Sequence, residues 1–217
     1  MYLKRNKAEK FWAVPRKGTK YLAVPTHNQK ESIPLIVFAR DILKIVNNKK
    51  ELKKSINEKQ ILINHKVIRE TNYPISLFDK ISLPLVKKNY RASLSNNKKI
   101  VFEEISDKDA ETKTFKVVSR KTLSGKKSQL NLMYGRNLIS EEKINIGDSV
   151  LFNFKTKKIV KVFPMEKGQN VLVIRGKHAG NRGKIDDIMF RGGKKLAKID
   201  SGKEKINVWI KNIIAVE

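Results

Sequence analysis

Residues 33–83 read IPLIVFARDILKIVNNKKELKKSINEKQILINHKVIRETNYPISLFDKISL, and their apolar periods decide the fold. Leu35, Phe38, Ala39, Ile42, Leu43 and Val46 recur at three and four, the spacing of one helix face, and the opposite face carries Arg40 and Lys44. Asn47 and Asn48 suit a helix start. Leu52 and Ile56, four apart, write a second helix among Lys49, Lys50, Lys53 and Lys54. Gln60–Ile63 and Val67–Ile68 are short β-branched runs around Asn64 and His65, which predicts a hairpin with Asn where positive φ is tolerated. Leu77, Phe78, Ile81 and Leu83 alternate loosely around Asp79 and Lys80 and predict a closing strand.

The pairs Lys49/Lys53 and Lys50/Lys54 set like charges at i and i+4, which costs an isolated helix roughly 0.2–0.5 kcal/mol each. A lysine-rich face on a lone helix is ordinarily just solvated. The rest of the chain favours a different reading, because the 217 residues carry 48 Lys and Arg against 21 Asp and Glu, a net charge of +27. Residues 1–30 hold +7, 31–90 hold +6, 91–167 hold +8 and 168–217 hold +6. A charge spread so evenly predicts that every module touches one extended polyanion. An anionic membrane is the weaker rival, since no apolar run approaches the 18 or so residues of a spanning helix and no signal pattern opens the chain. Cysteine is absent, so no disulfide or thiolate metal site is expected, and His27, His65 and His178 lack ligand spacing.

Residues 1–30 mix Lys4, Arg5, Lys7, Lys10, Trp12, Arg16, Lys17 and Lys20 with Pro15 and Pro25 and show no sustained period. They predict an extended basic arm with too little apolar surface to order alone. Trp12 either stacks on a nucleobase or, slightly favoured, is buried. From about Tyr90 to Met165 short strands alternate with turn formers, the pattern of a small β domain. The last 50 residues hold the sharpest motif: the apolar run Val171–Ile174 followed by Arg175-Gly176-Lys177-His178-Ala179-Gly180-Asn181-Arg182-Gly183-Lys184. The glycines permit positive φ or close backbone approach, and the interleaved cations suit phosphate. No Gly-Lys-Ser/Thr opens a helix here, so a nucleotide-binding P-loop is excluded.

Ser32-Ile33-Pro34-Leu35, Arg40-Asp41, Val67-Ile68-Arg69 and Tyr73-Pro74-Ile75 resemble, at matching spacing, the small-subunit ribosomal protein four of archaeal and eukaryotic type. Leu3-Lys4-Arg5, Ala8 and Trp12 resemble its amino-terminal region, and Gln129-Leu130-Asn131-Leu132-Met133-Tyr134-Gly135-Arg136-Asn137 its Gln-Leu-Asn-Leu-x-x-Gly-Arg-Asn segment. The carboxy-terminal loop resembles a KOW motif. One departure is visible: the family usually has a glycine in the hairpin, where this chain has His65.

The resemblance implies a multi-module α+β protein: a basic arm over 1–32, a helix, helix, hairpin RNA-binding module over 33–89, a central β domain over 90–166 and an SH3-like KOW barrel over 167–217. It implies a structural, cytoplasmic constituent of the small ribosomal subunit, not an enzyme and not a homo-oligomer, with ribosomal RNA and neighbouring ribosomal proteins as partners. No cofactor, metal or small-molecule substrate is implied. The expected RNA contacts in the arm are Lys4, Arg5 and Trp12. In the helical module they are Arg40, Lys44, Lys49, Lys50, Lys53, Lys54, Lys66 and Arg69. Gln129, Asn131, Arg136 and Asn137 are expected in the β domain, and Arg175, Lys177, His178, Asn181, Arg182 and Lys184 in the KOW loop.

Two rivals belong to other classes. An RNA-modifying enzyme carrying the same helical module would need a catalytic domain, and no cofactor-binding Gly-rich loop followed by an acidic residue is present. A transcription-elongation factor would explain the KOW motif and leave the helical module without a role.

Overall fold

A computed structural model describes residues 2–125, 127–202 and 204–216, apart from the side chain of Lys108. The chain divides into two compact units, 1–113 and 114–217. It is mostly β, with few helices. The α+β expectation is therefore corrected toward β, for which the density of Val and Ile is reason enough.

In the first unit a five-stranded antiparallel sheet runs in the order Lys66–Val67, Leu62–Ile63, Lys80–Leu83, Lys88–Leu94, Ile100–Ile105. The strands from Lys88 and Ile100 thus continue the sheet begun by the hairpin. Their apolar residues need the same core: Phe102 lies 4.3 Å, centroid to centroid, from Phe38.

The second helix, α2 (Lys49–Asn57), forms as its spacing predicts, with Leu52 and Ile56 buried. Asn48 caps it by accepting from the Glu51 N–H at 3.0 Å, and Glu51 accepts in return from the Asn47 N–H at 2.8 Å. The first helical segment, α1, begins as an α-turn at Leu35–Val37 and widens over Phe38–Ile42, where the Leu43 N–H donates to the Phe38 carbonyl five residues back. That widening buries Ile36 and Val37 along with Leu35, Phe38 and Ala39, so more than one narrow stripe faces the core.

The hairpin turns at Asn64 and His65, with φ of 51° and 59°. The turn therefore needs no glycine, because Asn64 is held from both ends of its side chain. Its Nδ2 donates to Asp79 Oδ1 at 2.6 Å, and its Oδ1 accepts from the Lys80 N–H at 3.0 Å. Asp79 also accepts from the Ser76 N–H at 2.6 Å and pairs with Lys113 Nζ at 2.5 Å, both side chains at most 7% exposed. Leu77 and Phe78, expected in a strand, belong instead to the turn that presents this carboxylate, with Phe78 at φ 62°.

The second unit contains two five-stranded antiparallel sheets. One runs Asn137–Ser140, Ser128–Leu132, Thr112–Thr122, Ser149–Asn153, Lys158–Phe163 around a core of Phe115, Val117, Leu130, Val150 and Phe152. The other runs Lys205–Trp209, Lys194–Asp200, Arg182–Arg191, Asn170–Val173, Ile213–Ala215 around Val171, Val173, Ile185, Ile199 and Ile213. Lys116 is buried in this unit and donates to the carbonyls of Ile210 and Ile213. Burial without a carboxylate partner pushes its ammonium down to about 8.

Asp79→Ala removes the carboxylate that the buried Lys113 ammonium meets at 2.5 Å and frees the turn at Asn64. It is expected to destabilise the first unit by about 3–5 kcal/mol. Urea unfolding followed at Trp12, in a protein whose Trp209 is replaced by Phe, checks this, and an unchanged midpoint would remove Asp79 from its central place.

Candidate nucleic-acid interface

The expected extended arm is folded back on itself. Tyr2–Lys4 pairs antiparallel with Tyr21–Ala23, and the loop between is gathered by Arg5. Its guanidinium donates to the carbonyls of Thr19 at 2.6 Å and Pro15 at 2.7 Å and to Thr19 Oγ1 at 2.8 Å. Arg5 thus organises its own loop. Trp12 is buried, and its indole N–H has no hydrogen-bond partner among the described residues. The Ile100 N–H donates to the Phe11 carbonyl at 2.9 Å and fastens the loop to the sheet edge.

This loop surrounds a cavity of about 1080 Å³ lined by Lys4, Lys10, Arg16, Lys17, Lys20 and Lys99 among others, with Glu9 as the carboxylate among the described residues of its wall. Lys10, Arg16, Lys17 and Lys20 were legible as basic residues but without a shared location. Lys99 gave no local signal at all, since only strand pairing brings it here. A neighbouring cavity of about 350 Å³ shares Arg5, Val14, Pro15 and Lys17 with the first and adds Arg40, Lys44 and Asn47. The basic loop and the segment just before α2, Asp41 included, thus line adjoining cavities on the cationic surface of the first unit.

Within that surface the expected residues differ in availability. Arg40 is chelated by its neighbour Asp41, with Nε and Nη2 each 2.9 Å from a carboxylate oxygen, and that pairing raises its already high pKa. It is therefore a partly neutralised cation. Lys44 is exposed at φ 55°, beyond the end of the helix, and not on its face. Lys49, Lys50, Lys53 and Lys54 are all exposed, and of these Lys54 alone has an ion-pair partner among the described residues, Glu58 at 3.9 Å. Lys66 and Arg69 are exposed on and just after the hairpin. Lys80 is different: burial, reinforced by the Arg91 and Lys113 cations and opposed by Asp109, lowers it to about 8.

In the second unit the Gln-x-Asn segment lies on a strand and is knitted into the sheet. Gln129 donates to Asn131 at 2.9 Å, and Asn131 donates to Ser119 Oγ at 2.8 Å. Arg136 stands over Phe152 at 4.5 Å, Phe154 at 5.0 Å and Phe115 at 6.0 Å. Its delocalised, weakly hydrated charge suits that aromatic seat. These residues support the domain, and Asn137 beside them is exposed.

In the last sheet Arg175, Lys177, Arg182 and Lys184 are exposed, with His178 and Asn181 half-buried. The glycines between them do more for the fold than expected. Gly180 is buried at φ 96°, and its N–H already donates to the Val173 carbonyl at 2.8 Å. A side chain on Gly183 would meet the Asp200 carbonyl oxygen at 2.2 Å, so strand packing forbids one. Gly180 and Gly183 thus serve the packing of the strands, and Arg175, Lys177, Arg182 and Lys184 are the exposed cations beside them. Among the described residues no cluster of His, Cys, Asp or Glu is fit to hold a metal.

The profile described as Ribosomal family S4e matches residues 86–159, and that of the KOW motif matches 167–189. Small ribosomal subunit protein eS4 of Methanocella arvoryzae is 35% identical over 190 residues, covering 86% of this chain and 80% of that protein. The chain belongs to ribosomal family S4e. Its likeness to the eS4 protein of Methanothermobacter thermautotrophicus spans 99% of this chain and 91% of that one at 30% identity. The crystal structure of the 30S ribosomal protein S4e from Thermoplasma acidophilum has the same fold, with a TM-score of 0.73 at 22% identity, covering 86% of this chain and 95% of that one.

In this S4e chain α2 presents the exposed lysines Lys49, Lys50, Lys53 and Lys54. Replacing Lys49, Lys50, Lys53 and Lys54 by Gln is expected to lower the slope of log affinity against log salt for structured RNA by roughly 3. The same change relieves the like-charge pairs, so thermal unfolding should move up slightly. An unchanged salt slope, or a fall in stability with affinity, would show that this face is merely solvated.

Proposed function

We infer that this chain is a structural constituent of the small ribosomal subunit, which binds ribosomal RNA through exposed cations on both units and performs no catalysis. The observation that carries the reading is the match, over most of the chain, to relatives named small ribosomal subunit protein eS4. The mechanism follows from charge and shape. Lysines and arginines displace counterions from phosphates, while relatively rigid β units hold those charges at fixed separations.

The finer assignments rest on the same footing. The helix, helix, hairpin segment serves as an RNA-binding module, supported by the exposed lysines of α2 together with Lys66 and Arg69. The last sheet serves as an SH3-like barrel whose KOW loop meets phosphate through Arg175, Lys177, Arg182 and Lys184. Lys4 and the cationic cavity beside it take a further stretch of backbone. Neighbouring ribosomal proteins complete the partners, with the cytoplasmic ribosome as the site of action and a single copy of the chain per particle.

Purified protein added to small subunits stripped of it should co-sediment with them at low salt and be released only as salt is raised. Recovery in the unbound fraction at low salt would overturn the assignment.

A further inference from the structure

The hairpin of strands Arg182–Arg191 and Lys194–Asp200 turns through Gly192 and Gly193, at φ 55° and 71°, and its tip lies beyond the matched KOW segment. The tip spends apolar surface on water. Phe190 is 74% exposed, Met189 42%, and Trp209 on the adjoining strand 39%. Register pairs Met189 with Leu196, and Leu196 in turn with Trp209, so these three share one face of the pleat. Phe190 pairs with Lys195 on the other face, the one that continues from buried Ala197 and Val208. Both faces of the tip therefore carry an exposed aromatic ring.

Each ring also carries a cation. Lys194 Nζ stands 5.8 Å from the Trp209 centroid, and Lys195 Nζ 5.4 Å from that of Phe190. The carboxylates of this hairpin lie toward its base, where Asp187 meets Lys167 at 2.6 Å, Asp186 meets Lys205 at 3.2 Å and Asp200 accepts from the Gly202 N–H at 2.8 Å. At the tip Arg191, Lys194 and Lys195 have no carboxylate partner among the described residues. An apolar partner protein would gain nothing from such cations, whereas unpaired nucleotides match both features: a base offers a π-face to the ring, and its phosphate offers a charge to the lysine beside it.

We propose that the tip of this hairpin, with Trp209 and Phe190 as stacking platforms and Arg191, Lys194 and Lys195 as phosphate contacts, binds unpaired bases of RNA. The proposal rests on the reading that the partner is RNA, and it adds a site for single strands to one that otherwise meets helices by their backbone. Stacking is tolerant of sequence, so the site selects unpaired over paired nucleotides and discriminates little among bases.

The test uses the full chain labelled with 15N and 13C. The Trp209 indole N–H resonance is assigned by its loss in Trp209→Phe, and the Phe190 ring by its loss in Phe190→Ala. Three probes are titrated: a single-stranded oligouridylate of about twelve nucleotides, a duplex RNA of the same length, and polyglutamate. Both aromatic signals should move saturably with the single strand and at far lower concentration than with the duplex, while polyglutamate leaves them in place. Phe190→Ala, an exposed change that keeps the thermal midpoint, should weaken the single-strand response at Trp209 about tenfold to a hundredfold. Equal response to duplex and single strand, a response to polyglutamate as strong as to RNA, or unchanged affinity in Phe190→Ala would each overturn the proposal. If those variants still co-sediment with small subunits, the ribosomal reading survives the loss of this site.

Discussion

The first unit depends on one buried carboxylate. Asp79 takes hydrogen bonds from Asn64, from the Ser76 backbone and from Lys113, and so ties the hairpin turn, the strand Pro74–Ser76 and the start of the strand Thr112–Thr122 to a single point. A charge so deeply enclosed is tolerated only because its oxygens are satisfied and a cation sits against it. The turn at Asn64 and His65 can dispense with glycine for the same reason, since the side chain of Asn64 is fixed by groups that Asp79 fixes first. Lys66 and Arg69 inherit their positions from that arrangement.

Around this point the basic residues divide by what holds them. Lys113 and Lys116 are interior and bind carboxylate or carbonyl; Arg5 and Arg136 are used by their own units, one to gather a loop and the other to cover phenylalanine rings. The remainder, on α2, the KOW loop and the wall of the amino-terminal cavity, project into solvent. Folding consumes the first kind and leaves the second in mutual repulsion. That surplus repulsion is what a polyanion relieves, and it explains why a chain of +27 tolerates like charges one helical turn apart.

Much of this was legible in the residues. The cap at Asn48 and the apolar pair Leu52 and Ile56 each act within a few positions, and local periodicity reports them faithfully. The widened turn at Phe38–Ile42 was not legible, because it obeys the packing of Phe38 against Phe102 and not the period of its own segment. Nor were the roles of Arg5, Lys99 and Arg136. Each is set by a partner distant in sequence or by strand pairing, and a guanidinium bound for a carbonyl looks the same on the page as one bound for a phosphate. The amino-terminal segment was misjudged for that reason: a count of apolar residues overlooks a loop closed by one arginine and a buried tryptophan.

The central claim is that buried charges hold the fold while exposed charges hold the partner. It is tested most directly by measuring, on one preparation and across one range of salt, both the free energy of unfolding and the affinity for small-subunit RNA. Affinity should fall steeply and linearly on logarithmic axes, because exposed lysines compete with counterions. Stability should hold or rise slightly over the same range, because enclosed pairs are scarcely screened while repulsion among exposed cations is. A stability that fell in parallel with affinity, or an affinity indifferent to salt, would contradict the account.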